Sequence, residues 1–198
     1  MKNTVDKKIE EWSKPPFCEL TQSQLLLLKK NKSKLKDAFY KDLEFGTGGM
    51  RGLMGVGTNR INKYTIGKNT QGISNYINEN FNEPQNVVIA FDCRHNSDSL
   101  AQIVADVFSA NNIKVFLFSS LRPTPELSFA VRKLNCICGI VLTASHNPPK
   151  YNGFKVYWKD GGQIVPPTDK KLIFEIEKIN FKDINFNKKE ELIELIDK

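Results

Sequence analysis

The chain has 198 residues, of which 40% are hydrophobic and 26% charged, a make-up suited to a globular protein with one α/β domain plus a helical addition. The formal charge of +7 is scattered along the chain without blocks or interleaved aromatics, which excludes nucleic acid as the first choice of partner and leaves a solvated lysine-rich surface or a field that draws in anions. No apolar run approaches the roughly 20 residues of a membrane span, and Met1-Lys2-Asn3-Thr4 lacks the apolar stretch of a secretory signal, so no membrane contact and a cytoplasmic location are expected.

Residues 1–41 read as helices. Thr21 and Gln24 resemble a capping box ahead of the leucines at 25–28, and Ser33 is placed to cap a further helix carrying Leu35, Ala38 and Phe39. Residues 46–57 then hold six of the twelve glycines (Gly46, Gly48, Gly49, Gly52, Gly55 and Gly57), which predicts a loop rather than an element interior. An amphipathic helix over 64–81 follows. After it, apolar strands at 87–91, 113–118, 137–143 and 153–158 alternate with helices at 99–110 and 125–133, the latter with Thr124 as cap and Pro125 at its first position. Helices are predicted at 168–179 and 188–196.

Short, nearly uninterrupted apolar strands between helices imply a three-layer α/β fold with a mostly parallel mixed sheet covered on both faces. The connection into the strand at 153–158 is too short for a crossover helix, so that strand is expected to run antiparallel. The organisation expected is a helical extension over 1–41 and one α/β domain over 42–198. The cysteines form no disulfide or zinc pattern: Cys18 and Cys93 are isolated, and Cys136 and Cys138, two apart in an apolar run, are expected on one strand face as buried core thiols.

In an open α/β sheet the ligand lies beyond the carboxyl ends of the strands. Three segments meet that edge: Asp92-Cys93-Arg94-His95-Asn96, Ser119-Ser120-Leu121-Arg122-Pro123-Thr124-Pro125 and Thr143-Ala144-Ser145-His146-Asn147-Pro148-Pro149. With the glycine loop and its Arg51 they suit an anion. Plainer readings stand beside this one: Asp92 and Arg94 as an ion pair anchoring a loop, Arg122 as part of a helix start, the glycine loop as a connector, Lys155 as a solvated strand-end lysine. Ser145 follows a buried strand directly, the position of a nucleophile, but lacks the glycines of a nucleophile elbow. The two histidines are His95 and His146, and His146 adjoins the serine too closely for a triad-type base. A serine that accepts and returns a phosphoryl group needs less base and more neighbouring cations, which these surroundings supply.

The run 143–148, Thr-Ala-Ser-His-Asn-Pro, followed by Tyr151-Asn152-Gly153-Phe154-Lys155, resembles the phosphoserine signature of the α-D-phosphohexomutase family. Phe45-Gly46-Thr47-Gly48-Gly49-Met50-Arg51-Gly52 is similar to the first active-site loop of that family's phosphoglucomutase and phosphopentomutase-like branch. Thr124-Pro125-Glu126-Leu127 and Asp160-Gly161-Gly162-Gln163-Ile164 also fall where the family has similar segments. The resemblance implies the phosphoserine domain of an isomerase that interconverts hexose 1-phosphate and hexose 6-phosphate through a bisphosphate intermediate. It places the phosphoryl group on Ser145, with Lys155, Arg51 and His146 as catalytic neighbours. Thr47, Gly48, Gly49, Asn147, Arg94 and Arg122 become phosphate or substrate contacts.

It further implies Mg²⁺ held through the serine phosphate, with its other ligands outside this chain, hexose 1,6-bisphosphate as phosphorylating activator, and the remaining domains of the same enzyme as partners. The domain alone is then expected not to turn over. The glycine loop favours a glucose phosphate over a mannose or pentose phosphate. A stand-alone module that holds a phosphate or sugar phosphate without turnover is the reading from another class.

Overall fold

The computed structural model describes residues 4–197. From the N-terminus, these form α1 (Thr4–Glu11), α2 (Glu19–Leu28), α3 (Lys32–Phe39), β1 (Gly49–Leu53), α4 (Lys63–Asn80), β2 (Asn86–Phe91), α5 (Ser97–Ala110), β3 (Lys114–Phe118), α6 (Thr124–Lys133), β4 (Cys138–Leu142), β5 (Tyr151–Trp158), α7 (Thr168–Lys178) and β6 (Ile193–Ile196). The strands make one sheet in the order β1-β5-β4-β2-β3-β6. β4, β2, β3 and β6 are parallel, while β5 runs antiparallel to both β4 and β1, as its short connection requires.

Strand alternation sorts the core into two layers. Val87, Ile89 and Phe91 of β2 and Cys138, Ile140 and Leu142 of β4 pack with α4, α5 and α7 through Ile66, Ile73, Val104, Phe108, Leu172 and Ile176. Val88, Ala90 and Val141, on the other face, meet Leu127, Ala130 and Val131 of α6. Helices on both faces of a mixed sheet give the expected three-layer α/β architecture. The strand order reverses beside β2: α5 carries the chain out to β3, and α6 brings it back to β4 on the far side. That reversal opens a crevice between the carboxyl ends of β2 and β4.

Four local expectations are corrected. α3 starts at Lys32 with Asn31 as cap, its side chain accepting from Lys34 N at 3.0 Å, so Ser33 lies inside the helix. α2 starts at Glu19, ahead of Thr21, with no side-chain cap. The glycine loop contains an edge strand, β1, whose Met50 and Gly52 are buried and which pairs with β5 residue for residue from Gly49–Lys155 to Leu53–Tyr151. The predicted helix over 188–196 is instead a single 3-10 turn at Glu190–Leu192 followed by β6. Its apolar residues have helical spacing, but the open edge of β3 offers ladder hydrogen bonds that four residues of isolated helix cannot match.

The three N-terminal helices are docked on the domain. Trp12, Phe17, Leu25, Ala38 and Phe39 are buried together with Tyr64 of α4, and Trp12 also meets Phe181 at 5.3 Å between ring centroids.

The cysteines divide otherwise than expected. Cys136 and Cys138 are buried, but Cys136 lies in the turn before β4 and faces the α6 layer, whereas Cys138 faces the α4–α5–α7 layer, because the two-residue period holds only inside a strand. Cys18 and Cys93 are exposed. The Cys18 thiol lies 3.4 Å from the Thr21 hydroxyl, and this contact, with help from the Tyr64 hydroxyl, brings its pKa from 9.0 down to about 7. Burial pushes the Cys136 thiol up to about 12 and the Cys138 thiol higher still. Alkylation of Cys18 by iodoacetamide is therefore expected to accelerate as pH rises through about 7, where its thiolate forms, and to level off above. Cys136 and Cys138 should stay unlabelled until the protein unfolds. Peptide mapping against pH checks both statements, and a Cys18 midpoint near 9.0 would refute the first.

Candidate active site

Ser145 sits in the turn after β4, exposed to solvent, with φ of 54°. A left-handed backbone costs a residue with a Cβ roughly 1–2 kcal/mol, so something must hold it there. Its N–H donates to Thr143 Oγ1 at 3.0 Å, and its carbonyl accepts from Arg94 Nη2 at 2.5 Å. Its Oγ lies 3.4 Å from His146 Nδ1, too long for a good hydrogen bond between these groups and therefore a weak link to a base.

Arg94 comes from the end of β2. Nη2 also donates to the Asn147 carbonyl at 2.6 Å, and Nη1 donates to the carbonyls of Pro148 and Tyr151 at 3.2 and 3.1 Å. All its terminal N–H groups thus donate to carbonyls of the turn. Nε lies 3.8 Å from Asp92 Oδ2 without a hydrogen bond, so of the two open readings the loop-anchoring ion pair is the one observed.

The glycine loop reaches the same place from the sheet edge. Gly48 and Gly49 have φ of 84° and 131°, and a Cβ on Gly49 would stand 2.0 Å from the Phe154 carbonyl oxygen, so only glycine lets β1 close onto β5 here. The pairing sets Arg51 opposite Gly153 and Gly49 opposite Lys155. Arg51 Nη1 donates to Asn147 Oδ1 at 2.5 Å, which lays the guanidinium against the serine turn. Arg51, Lys155, Thr47, Gly48 and Thr143 line one cleft of about 380 Å³. Lys155 is half-buried and makes no ion pair among the described residues.

Two expected contacts point elsewhere. The Thr47 hydroxyl donates to Asp169 Oδ2 at 2.9 Å. Arg122 is tied at the end of β3 to Ser120 Oγ and the Leu121 carbonyl, at 2.7 and 2.8 Å, and to the Asp197 carbonyl. The structure thus ties Arg51 to Asn147 of the serine turn, lines one cleft with Arg51, Lys155 and the glycine loop, and leaves Arg122 two strands away.

Asp169 was not singled out by sequence. It is 3% exposed in the first turn of α7 and fixes the glycine loop through Thr47. An acid directly after Pro166-Pro167-Thr168 marks a helix start, but nothing local in sequence ties it to residue 47. Asn152 is fully buried and braces two loops, donating to the His95 carbonyl and Ser97 Oγ at 3.1 and 3.0 Å while accepting from Gly153 N at 2.8 Å. Asn62 caps α4 through Tyr64 N and Thr65 N and also holds the Gly55 and Gly57 carbonyls.

Among the described residues no three His, Cys, Asp or Glu side chains come together as a metal site. Asp92, the carboxylate nearest the serine turn, already accepts from Arg94 N, Ser97 Oγ and Thr143 Oγ1 at 3.0, 3.1 and 2.5 Å. These donors do not make the oxygen-rich octahedral set that Mg²⁺ requires. No helix among the described residues is long and apolar enough to cross a membrane.

A three-layer α/β domain that presents a serine at its topological switch point, with two cations and a glycine loop around it, belongs to the class of domains built to handle an anionic group. Residues 42–183 match the family described as phosphoglucomutase/phosphomannomutase, alpha/beta/alpha domain I, and the chain belongs to that family. It is 50% identical over 129 residues to a phosphoglucomutase of Staphylococcus aureus strain bovine RF122 / ET3-1, and 49% identical to that of strain USA300. Each alignment covers 65% of this chain but only 23% of the relative, so the chain spans about a quarter of the relatives' length. Among solved structures, a candidate phosphomannomutase of Thermus thermophilus superposes with a TM-score of 0.69 at 29% identity, over 79% of this chain and 33% of the other. The pp63/parafusin phosphoglucomutase of Paramecium shares the fold, with a TM-score of 0.56 at 20% identity over 79% of this chain and 34% of the other.

Proposed function

We propose that the chain is the phosphoserine domain of a phosphoglucomutase-type enzyme, with residues 42–198 as domain I and 1–41 as a helical extension docked on it. Ser145 carries the phosphoryl group. The observation behind this reading is the exposed Ser145 turn, held left-handed at the switch point with Arg51 and Lys155 on one side of it. A nucleophilic serine without a well-placed base suits phosphoryl transfer better than hydrolysis, because the phosphoryl transition state asks mainly for position and positive charge.

Arg51, tethered to Asn147, and Lys155, without an ion pair among the described residues, supply that charge from the paired strands β1 and β5. Gly48 and Gly49 let backbone approach a phosphate closely. His146 stands next to the serine as a contact for phosphate or sugar. Mg²⁺, when bound, neutralises phosphate charge; its carboxylate ligands come from the rest of the enzyme, since no three acids come together among the described residues of this domain. The sugar ring and distal phosphate are likewise held by the remaining domains. Relatives named phosphoglucomutase at about half identity favour a glucose phosphate as substrate, and a serine that must first be phosphorylated calls for hexose 1,6-bisphosphate as the phosphorylating activator.

The test uses the full-length enzyme and glucose 1,6-bisphosphate carrying radiolabelled phosphate. After quenching and proteolysis, the label is expected on the peptide containing Ser145. Label on another residue, or stoichiometric binding without covalent label, would reject the assignment.

A further inference from the structure

Ser145 has its N–H and its carbonyl tied into one network. The N–H goes to Thr143 Oγ1, which itself donates to Asp92 Oδ2 at 2.5 Å. The carbonyl goes to Arg94, whose backbone N–H donates to Asp92 Oδ1 at 3.0 Å and whose Nε faces Asp92 Oδ2. Both arms therefore end on one carboxylate at the end of β2. Arg94 is the larger arm: its fork spans the carbonyls of Ser145, Asn147, Pro148 and Tyr151, so a single planar group sets the path of the whole turn. Its side chain is only 10% exposed, and its charge is countered by Asp92, which leaves little of it to act on a ligand.

The other described non-glycine residues with positive φ are Asn96, Asn112 and Asn135, a type that tolerates this region. Serine has less tolerance, so its conformation must be imposed by the surroundings.

We propose that Arg94, seated on Asp92, is a positioning residue that holds the Ser145 turn in its left-handed form and so aims Oγ at the incoming phosphate. This rests on the phosphoserine reading and assigns the two strand-end residues a task within it. Arg94 touches neither substrate nor the transferred group. Its effect reaches the reaction through the direction of the Ser145 side chain, and a displacement on the order of 1 Å at a nucleophile costs about 10²-fold in rate. Lysine cannot replace it. An ammonium has one nitrogen, whereas this seat needs two nitrogens about as far apart as the carbonyls they bridge.

Arg94→Lys and Arg94→Gln distinguish the possibilities in two independent measurements. The first is hydrogen exchange of the 145–151 backbone in this chain, without ligand. Both variants are expected to raise exchange at Ser145, Asn147 and Tyr151 about tenfold or more, while α5 and β4 keep their protection. The second is steady-state kinetics of the full-length enzyme. Both variants should lower kcat about 10²-fold and leave the sugar-phosphate KM within about twofold, as lost aim rather than lost binding predicts. Unchanged exchange in the turn would overturn the clamp. A raised KM with normal kcat would overturn it in favour of direct substrate contact. If wild-type Ser145 carries no label in the mapping experiment, the phosphoserine reading fails, and the exchange arm still decides whether Arg94 orders the turn.

Discussion

Ser145→Ala is expected to abolish the phosphoenzyme and to lower turnover of the full-length enzyme by about 10⁴-fold or more, as loss of a covalent nucleophile does. The fold should not notice the change. Ser145 is exposed, its Oγ lies 3.4 Å from His146 Nδ1, and the turn is held by its backbone N–H and carbonyl, which alanine retains. Alanine also carries a Cβ, so the left-handed strain is the same in both proteins. Thermal unfolding should therefore shift by no more than about 0.5 kcal/mol. Two measurements on one variant check this: covalent label after incubation with the bisphosphate, and the unfolding midpoint. Retained label would move the carrier role to another residue. Lost label with a large drop in stability would mean that the hydroxyl, rather than the backbone, holds the turn.

Trp12→Ala is expected to carry a large stability cost, about 3–5 kcal/mol, measured by denaturant unfolding. Trp12 is fully buried at the junction between the N-terminal helices and the domain. It stacks on Phe17 at 4.3 Å and meets Phe39, Tyr64 and Phe181 edge-on at 5.6, 5.6 and 5.3 Å. Its removal leaves a cavity lined by rigid rings, which collapse poorly. Trp12→Phe should cost much less. The indole Nε1 is buried without a hydrogen-bond partner, and an unsatisfied buried donor costs about 1–3 kcal/mol, so the loss of ring volume is offset by removal of that orphan. Equal costs for the two variants would show that the polar orphan is satisfied in solution. A negligible cost for Trp12→Ala would show that helices α1 to α3 are not docked on α4.

The parallel strands and their helices were legible because their apolar runs are strong and local: 87–91, 113–118 and 137–143 predicted β2, β3 and β4 within a residue or two at each end. Ser145 at a strand's end was legible for the same reason, since a buried strand followed by a polar turn names the sheet edge where ligands bind. The proline after Thr124 marked the start of α6 to within a residue, but the helix already includes Thr124, with Pro123 rather than Thr124 at the cap and no side-chain cap hydrogen bond.

Local pattern thus carried the α/β order, the antiparallel turn of β5 and the clustering of serine, glycines and cations at one edge. These are properties of residues near one another in the chain, or of the rule that strand ends converge. Packing in three dimensions settled the rest. β1 and β6 are short segments whose local preference is loop and helix, and each becomes a strand because an open sheet edge supplies the missing hydrogen bonds. The roles of Arg94 and Asp92 were undecided in sequence, because an ion pair and an anion site use the same two residues. Distance shows what Arg94 holds: four carbonyls from positions 145 to 151 fall within reach of one guanidinium 51 to 57 residues away in the chain. Asp169 reaches Thr47 across 122 positions for the same reason. Hydrogen bonds that close over such separations leave no periodic trace in the sequence, since their partners are brought together by the packing of the sheet and its helices.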